Sequence, residues 1–403
     1  MAPCGVGLGH ITRCDPIARE LTRRGGEVVF STYGDGIGYA EKMKFKLVKT
    51  VPIYLRVREN GSVDFKLTAT RSGLSLGVRT FIRQVLAEIR NLKAFKPDIV
   101  FSDSRASTLL AAKMLGIPIL LMLNQFRVNI VRKPTSIRLS IGDRVFFIVA
   151  NLAWTFFRTL LQGLWSISDQ ILIPDFASPY TVSLGNLTIP KRYNMKVKLV
   201  GPIVTKKPSQ IPQSSDDIRR RLGFLTSKPL VYVAVSGPKI ERRYLAGLLE
   251  KEINAGTFNC QFVMSRGEPS GSESPTVQGQ MVIFDWLQEE LQYQILKACD
   301  VVMSRAGHGI MMKTMTFGKP MILIPIPDHT EQYGNAKQAE RLAFAKILDQ
   351  NKTSSENLRQ VMNEILKSNK FVTNAHAISR FSERLNTVND VTELILNSIH
   401  HRA

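Results

Sequence analysis

The segment from Asp300 to Pro325 constrains the fold more than any other. Asp300-Val301-Val302-Met303 is a short apolar run and Ser304-Arg305-Ala306-Gly307-His308-Gly309 is a turn of mostly small residues. Ile310 to Thr316 has helical length, Phe317-Gly318-Lys319-Pro320 stops it, and Met321-Ile322-Leu323-Ile324-Pro325 is a second apolar run. A strand, a tight turn, a helix and a second strand in so short a span form a βαβ unit, the connection that parallel strands require.

The same grammar recurs along the chain. Gly5-Val6-Gly7-Leu8-Gly9-His10 precedes a helix over Pro16 to Arg24, the stop Gly25-Gly26 and the strand Glu27-Val28-Val29-Phe30-Ser31. Lys96-Pro97-Asp98-Ile99-Val100-Phe101-Ser102-Asp103 leads into a helix over Ser107 to Leu115 and a strand over Gly116 to Met122. Leu230 to Val235 is a buried strand ending at Ser236-Gly237-Pro238, and Arg266 to Gln278 reads as a mobile loop. Strands alternating with amphipathic helices imply an α/β protein with parallel sheets. With 403 residues, two cores are expected. The expected architecture is two Rossmann-like, doubly wound domains facing across a cleft. Their expected bounds are residues 1–204, a linker and entry helix at 205–228, a second domain at 229–385, and a C-terminal helix at 386–403 that packs back on the first domain. The Lys-, Pro-, Ser- and Gln-rich composition of 205–215 marks the linker.

A formal net charge of +21 predicts an anionic partner: nucleic acid, an anionic membrane surface or a phosphorylated small molecule. The chain contains no recognisable nucleic-acid module, so nucleic acid is not expected. Cys4, Cys14, Cys260 and Cys299 are scattered, with no Cys-x-x-Cys or Cys/His metal spacing, so the expectations are a reducing, cytoplasmic location and no metal. Met1-Ala2-Pro3-Cys4 reaches a glycine turn at once, leaving no room for a cleavable leader. The strand before Gly5 is therefore a stub, or the start lies upstream. Val145 to Leu161 is strongly apolar and long enough to approach a bilayer's thickness. Asn151 and Arg158 count against a spanning helix. A buried core helix and an interfacial or acceptor-facing helix are the other readings, the last favoured by Arg127, Arg132, Lys133, Arg138 and Arg144 on its flank.

The turn at Ser304–Gly309 opens a helix, so its free N–H groups can face an anion such as a diphosphate. The second strand delivers Asp328-His329-Thr330-Glu331-Gln332-Tyr333-Gly334-Asn335 to the same sheet edge. There Glu331 and Gln332 present an acceptor and a mixed donor/acceptor suited to sugar hydroxyls, unless the loop is merely solvated.

Taken in order, four features resemble the GT-B glycosyltransferases: Gly5-x-Gly7-x-Gly9-His10; Pro97-Asp98-x-x-x-x-Asp103 followed by Gly116-Ile117-Pro118; Val200-Gly201-Pro202; and the Ser304 to Ala336 segment. The nearest likeness is to the nucleoside-diphosphate-sugar enzymes that include the bacterial peptidoglycan N-acetylglucosaminyltransferase, the diacylglycerol galactosyltransferases and the UDP-glucuronosyltransferases. It covers nearly the whole chain and is weakest over Phe45–Gly73 and Leu123–Lys198. The resemblance implies an inverting, metal-independent transfer of a hexose or N-acetylhexosamine from a nucleotide sugar, with UDP the expected nucleotide. The donor would sit on the second domain and the acceptor on the first; the apolar Val145 to Trp165 segment and the basic surface make a lipid or lipid-linked acceptor, met at the inner face of the membrane, the expectation.

The resemblance makes His10 the general base, oriented by Asp103, with Gly7 and Gly9 in the acceptor loop. From the residues alone, His10 can equally bind acceptor phosphate or pack, and Asp103 can equally cap the helix that follows it. On the donor side it implicates Ser236 and Gly237, the base-binding segment around Phe284 and Trp286, Gly307, His308 and Gly309 over the diphosphate, and Glu331 with Gln332. Trp286 is placed to stack on a base or to pack in a core. Arg305 is placed to clamp phosphate or to pair across the structure. At Lys313 the chain departs from the family, which has a ribose-binding glutamate there, and this puts UDP in question. A UDP-sugar epimerase or hydrolase, which needs further acids in the cleft, and a non-catalytic membrane-associated subunit of the same fold are the alternatives.

Overall fold

The computed structural model of the chain describes residues 1–53, 58, 74–126, 140–187, 189, 191–193 and 195–400. The first half contains β1 (Ala2–Pro3), α1 (Gly9–Arg23), β2 (Val29–Thr32), α2 (Asp35–Lys42), β3 (Lys46–Lys49), α3 (Leu74–Phe95), β4 (Val100–Asp103) and α4 (Ala106–Met114). It continues through β5 (Ile119–Met122), α5 (Ile141–Trp165), β6 (Gln170–Ile173), the short α6 (Leu184–Leu187) and β7 (Val197–Leu199). The second half begins with α7 (Ser215–Arg221), β8 (Leu230–Ala234), α8 (Lys239–Ala255), β9 (Gln261–Ser265), β10 (Thr276–Gln278) and β11 (Met281–Phe284). It then runs through α9 (Glu289–Ala298), β12 (Val301–Ser304), α10 (His308–Thr316), β13 (Met321–Leu323), α11 (Thr330–Arg341) and β14 (Ala345–Ile347). Helices α12 (Ser355–Lys367), α13 (Asn369–Ser382) and α14 (Thr387–His400) complete the chain.

The first sheet has the order β1-β4-β5-β6-β7, all parallel. The parallel pair β2–β3 abuts it, because Ser31 N–H donates to Met1 O at 2.8 Å. The second sheet has the order β10-β11-β9-β8-β12-β13-β14, parallel except at the β10–β11 hairpin. That hairpin corrects the expectation of a wholly irregular 266–278 loop: Thr276 to Gln278 pair with Met281 to Ile283, and Arg266 is bonded to Glu250 and Asp285.

Each sheet carries an apolar cluster on both faces. Val231, Phe262, Met303 and Ile322 belong to one cluster of the second sheet, and Tyr232, Val263, Val302 and Met321 to the other. This two-sided burial explains the near-continuous apolar runs in the sequence. The first strand, Ala2–Pro3, pairs Ala2 with Ser102 and Pro3 with Asp103. After β7 the chain turns at Gly201, whose φ of +92° favours glycine and where a Cβ would lie 2.6 Å from Thr387 Oγ1. Close approach there seats α14 against α1, with Val391 and Ile395 in the first half's core and Arg24 paired with Glu393.

α5 is not a core helix. Of its 25 residues only Phe147 and Trp165 are buried, and its outer face carries Ile141, Val145, Ile148, Leu152, Phe156 and Leu160 at helical spacing. α3 exposes a shorter stripe of Val78, Ile82 and Leu86, and both helices pack on α4. Residues Arg127, Arg132, Lys133 and Arg138 of the basic flank lie outside the described residues, as does most of the 54–73 segment.

Candidate functional site

Strand order dictates where the site forms. In the first half the order reverses direction between β1 and β4, and in the second between β8 and β12. Loops leaving the carboxyl ends of such neighbouring strands diverge to opposite faces and leave a crevice. The loop after β1 carries Gly5 to His10, and Asp103 ends β4. The loop after β8 carries Ser236 and Gly237, and Arg305 to His308 follow β12. The loops after β1, β8 and β12 line one cleft of about 660 Å³ between the halves, and Asp103 lies behind His10. Gly7 has φ +69°, and a Cβ there would lie 3.4 Å from Pro238 Cδ, so the two halves approach closely at this glycine.

The helix behind the first loop starts well before Pro16, at Gly9, and this brings His10 into its first turn. His10 Nδ1 lies 2.8 Å from Asp103 Oδ1. The His10 side chain is 25% exposed and that of Asp103 0%. With Asp103 ionised, Nδ1 carries the proton and Nε2 is left with a lone pair. The cap reading of Asp103 fails, because α4 is preceded by Arg105 and has no side-chain cap.

Sequence reasoning missed the group that organises this pair. Arg13, one turn beyond His10 on α1, donates from Nε to Asp103 Oδ2 at 2.8 Å and from Nη2 to Oδ1 at 2.6 Å. Burial alone would raise the Asp103 pKa, but the Arg13 charge and the His10 contact hold it far below the carboxylate range. The i, i+3 spacing of His10 and Arg13 was the available signal.

On the opposite wall α10 begins at His308, capped by Gly307 without a side-chain bond. Ser236, Gly237, Gly307, His308 and Gly309 all line the cleft. Arg305 is 1% exposed and donates from Nη1 to Ile324 O at 3.0 Å, while its Nε and Nη2 have no partner. Among the described residues it makes no ion pair, and burial lowers its pKa to about 10 against the opposing pull of Glu241. Glu241 at the start of α8 is its counterpart: 4% exposed, with Oε2 unpartnered, and pushed up to about 7 by burial despite the Arg305 charge.

Three donor-side residues are packed or paired within the protein. Phe284 is a core side chain outside the cleft lining, and its carbonyl accepts the Arg266 N–H at 2.9 Å. Trp286 reaches the cleft but does not present a free stacking face. It sits edge-on to Tyr39 at 6.0 Å beneath Lys42, joined to the first half's core. Lys313 is already matched: its Nζ donates to Glu289 Oε1 at 3.0 Å and Gln292 Oε1 at 2.9 Å, and lies 5.0 Å from the Tyr293 ring centroid. The Lys313–Glu289 pair puts a carboxylate beside the place where the family's glutamate was expected.

Glu331 is not a solvated loop residue. It accepts from Asn124 Nδ2 at 2.7 Å and Gln125 Nε2 at 3.1 Å, bonds that join the two halves. The Gln332 side-chain carbonyl is spent on Ile326 N–H at 3.0 Å. The cleft thus holds carboxylates that sequence reasoning did not assign: Asp35, which accepts from Gly7 N–H at 3.1 Å, together with Glu241 and Glu289.

Comparison with known proteins agrees with the fold. The profile of the glycosyltransferase family 28 C-terminal domain matches residues 250–392, and that of glycosyl transferase family 1 matches residues 3–153. An uncharacterised glycosyltransferase of Methanosarcina acetivorans is 26% identical over 409 residues, covering 99% of this chain and 98% of its own. The UDP-N-acetylglucosamine--N-acetylmuramyl-(pentapeptide) pyrophosphoryl-undecaprenol N-acetylglucosamine transferase of Clostridium botulinum is 24% identical over 223 residues, 49% of this chain and 62% of its own. Among solved structures, the calicheamicin glycosyltransferase CalG4 superposes with a TM-score of 0.64 at 13% identity, covering 100% of this chain and 98% of its own. Acinetobacter baumannii MurG gives 0.56 at 16% identity over 98% of this chain and 99% of its own. The glycosyltransferase VinC in complex with dTDP gives 0.60 at 15% over 100% and 99%. These likenesses share the architecture described above, and with the family 28 C-terminal domain matched over residues 250–392 and family 1 over residues 3–153, the protein is a GT-B glycosyltransferase similar to the MurG-like enzymes.

Proposed function

We propose that the protein transfers a hexose or N-acetylhexosamine from a nucleoside-diphosphate sugar to a lipid or lipid-linked acceptor, with inversion at the anomeric carbon. The observation that carries this reading is the pairing of His10 with the buried, ionised Asp103 in the cleft wall that faces the α10 N-terminus. In this mechanism His10 Nε2 takes the acceptor hydroxyl proton as that oxygen attacks, and Asp103 holds the tautomer and stabilises the imidazolium. The departing diphosphate rests on the α10 N-terminus and Arg305, so protein groups meet its charge and no cofactor beyond the nucleotide sugar is invoked.

UDP is the nucleotide this reading favours, as in the name of the Clostridium relative, and the dTDP bound to VinC makes dTDP the second candidate. The ribose hydroxyls would be met by Glu289, held in place by Lys313, and the sugar hydroxyls by Glu331. The acceptor class rests on α5. A 25-residue helix long and apolar enough to cross a membrane, with its outer face bare of partners among the described residues, suits an interfacial seat for a lipid substrate. The protein would then work as a peripheral enzyme at the cytoplasmic face of an anionic membrane.

Thermal unfolding with UDP, dTDP, GDP and ADP and their sugars tests the donor side, since a ligand bound only by the native state raises Tm by mass action. Stabilisation by one diphosphate nucleotide, with sugar transfer into a lipid extract abolished by His10→Ala, is the expected result. A folded protein stabilised by none of them refutes it.

A further inference from the structure

After β7 the chain passes from one half to the other within a few residues. Val200 and Ile203 lie in the first half's core, and Val204, the next residue, packs against a core cluster of the second sheet. Beyond it the linker is tied to the second half: Lys206 pairs with Glu290, Lys207 Nζ donates to Glu383 O at 2.6 Å, and Ser209 Oγ to Glu383 Oε2 at 2.8 Å. The return crossing, from α13 to α14, runs beside it, because a Cβ on Gly201 would stand 2.6 Å from Thr387 Oγ1. A pivot of one half on the other therefore falls on Gly201 to Val204.

Thr205, the first residue past this pivot, ends on a buried phenol. Its N–H donates to Tyr293 Oη at 3.2 Å and its Oγ1 at 2.9 Å, and the phenol donates to Glu289 Oε1 at 3.2 Å. A carboxylate only accepts, so the phenol proton goes to Glu289 and Thr205 supplies the other two donors. Tyr293 is 1% exposed and stacked on Phe317, with ring centroids 5.4 Å apart and planes 10° from parallel. Burial raises the Tyr293 pKa, which keeps that proton in place. Glu289 opens α9 and lines the cleft, while Tyr293 stands behind it, outside the lining. Oε1 of Glu289 also takes the Lys313 ammonium at 3.0 Å. Phenol and ammonium on one oxygen fix the orientation of the carboxylate, which lowers the cost of ordering it around a ligand.

We infer that Tyr293 and Thr205 couple the nucleoside site to the hinge. Tyr293 is a positioning residue: it sets Glu289 for the ribose hydroxyls and touches no substrate itself. Thr205 passes the state of that carboxylate to the pivot. The inference rests on the donor reading proposed above, in which Glu289 meets the ribose. Hydroxyls bound to Glu289 order the carboxylate, the phenol and the linker together. Such coupling is reciprocal, so a linker released from Tyr293 weakens the nucleotide by the factor with which the nucleotide tightens the linker.

The test uses the full chain, whichever of UDP, dTDP, GDP and ADP it binds most tightly in calorimetry, and the analogue of that nucleotide lacking the ribose hydroxyls. Tyr293→Phe removes the phenol hydroxyl and keeps the stack on Phe317, and Thr205→Val removes the threonine hydroxyl at nearly equal shape. Tyr293→Phe is expected to bind the nucleotide about 10-fold more weakly, the worth of one hydrogen bond to a charged group, and to bind the analogue as tightly as wild type does. Thr205→Val is expected to lose about 3-fold, and the double variant no more than Tyr293→Phe alone. Amide hydrogen exchange across residues 203–206 is expected to slow on nucleotide binding in wild type and to stay unchanged in Tyr293→Phe. Unchanged nucleotide affinity in Tyr293→Phe, an equal loss for nucleotide and analogue, losses that multiply in the double variant, or a wild-type linker whose exchange ignores the nucleotide overturns the inference and leaves the donor reading standing. Wild type that binds none of the four nucleotides overturns the donor reading, and this inference with it. If Tyr293→Phe does not fold, Thr205→Val carries the test: a loss confined to the nucleotide that keeps its ribose hydroxyls is the expected result, and affinity equal to wild type overturns it.

Discussion

Asp103→Asn separates what the buried carboxylate does for the fold from what it does for catalysis. In the native protein it receives four bonds, one from His10 Nδ1 at 2.8 Å, two from Arg13 at 2.8 and 2.6 Å and one from the Ser104 hydroxyl at 3.1 Å. An asparagine offers one acceptor oxygen in place of two and turns N–H donors toward N–H donors. Arg13, whose side chain is 8% exposed, is left as an uncompensated buried cation. Breaking such a pair from one side costs about 3–5 kcal/mol, a fall in Tm on the order of 10 °C. The same change deprives His10 of the anion that fixes its tautomer, and loss of an effective general base costs roughly 10²- to 10⁴-fold in turnover.

The double variant Arg13→Met/Asp103→Asn distinguishes the two effects. Removing the stranded cation restores most of the stability, and turnover is expected to stay down by the same factor. Chemical denaturation gives the first quantity, and nucleoside-diphosphate release in the presence of a lipid extract gives the second. A double variant that regains turnover along with stability would falsify the orienting role, leaving Asp103 as the structural partner of Arg13 only. Acid sensitivity follows the same logic. Because the folded-state pKa of Asp103 is depressed, its stabilisation is fully present above the ordinary carboxylate value and is lost as pH falls toward the depressed one.

Three further outcomes are expected. Glu241, raised to about 7 in the fold from a reference of 4.5, contributes stability that is present below the unfolded value and is lost as pH rises through about 7. Glu241→Gln is therefore expected to exceed wild type by up to about 3 kcal/mol above pH 7 and to flatten the pH dependence between 5 and 8; parallel curves for the two proteins would exclude this. Lys313→Glu sets a second carboxylate against Glu289, so it is expected to lower stability and weaken the UDP-induced rise in Tm, whereas tighter UDP binding would mean that the ribose is read at position 313 itself. Leu152→Asp and Phe156→Asp, on the bare face of α5, are each expected to weaken co-sedimentation with phosphatidylglycerol vesicles roughly tenfold, the cost of losing one buried apolar side chain; equal binding by the variants would remove α5 from the membrane reading.

The parallel α/β layers were legible because two-sided burial leaves strands such as Leu230–Ala234 as unbroken apolar runs. The loops of the cleft were legible for a related reason: small residues at Gly7, Gly237 and Gly307 mark turns that line it, and Gly7 lies where the two halves approach closely. Partner choice was far less visible. Nothing in the local sequence around Lys313 announces Glu289, which reaches it from another helix, and nothing near Glu331 announces Asn124, 207 positions away. Phe284 and Trp286 are adjacent in type and position, yet the first belongs to the second half's core and the second to the first half's. α5 stayed ambiguous for a different reason. Apolar composition does not distinguish a helix buried in protein from one that meets lipid, and only the exposure of its outer face in the fold separates them.

The distribution of charge over the cleft wall argues for where an anion must sit. Arg13 and Lys313 are each satisfied by a carboxylate, Asp103 and Glu289, within hydrogen-bond distance. Arg305 has only a backbone carbonyl, and two of its nitrogens are unmet. Its nearest acid, Glu241, has a pKa close to neutrality, so near pH 7 that carboxyl is charged in only about half of the molecules. The unbalanced positive charge of the cleft is therefore concentrated where α10 begins, beside His308, while the first half's wall is neutralised around His10. In the proposed reaction this asymmetry favours the diphosphate on one wall and leaves the other to an uncharged hydroxyl, so a negatively charged group drawn to the His10 side would have to displace Asp103 from Arg13 before it could bind.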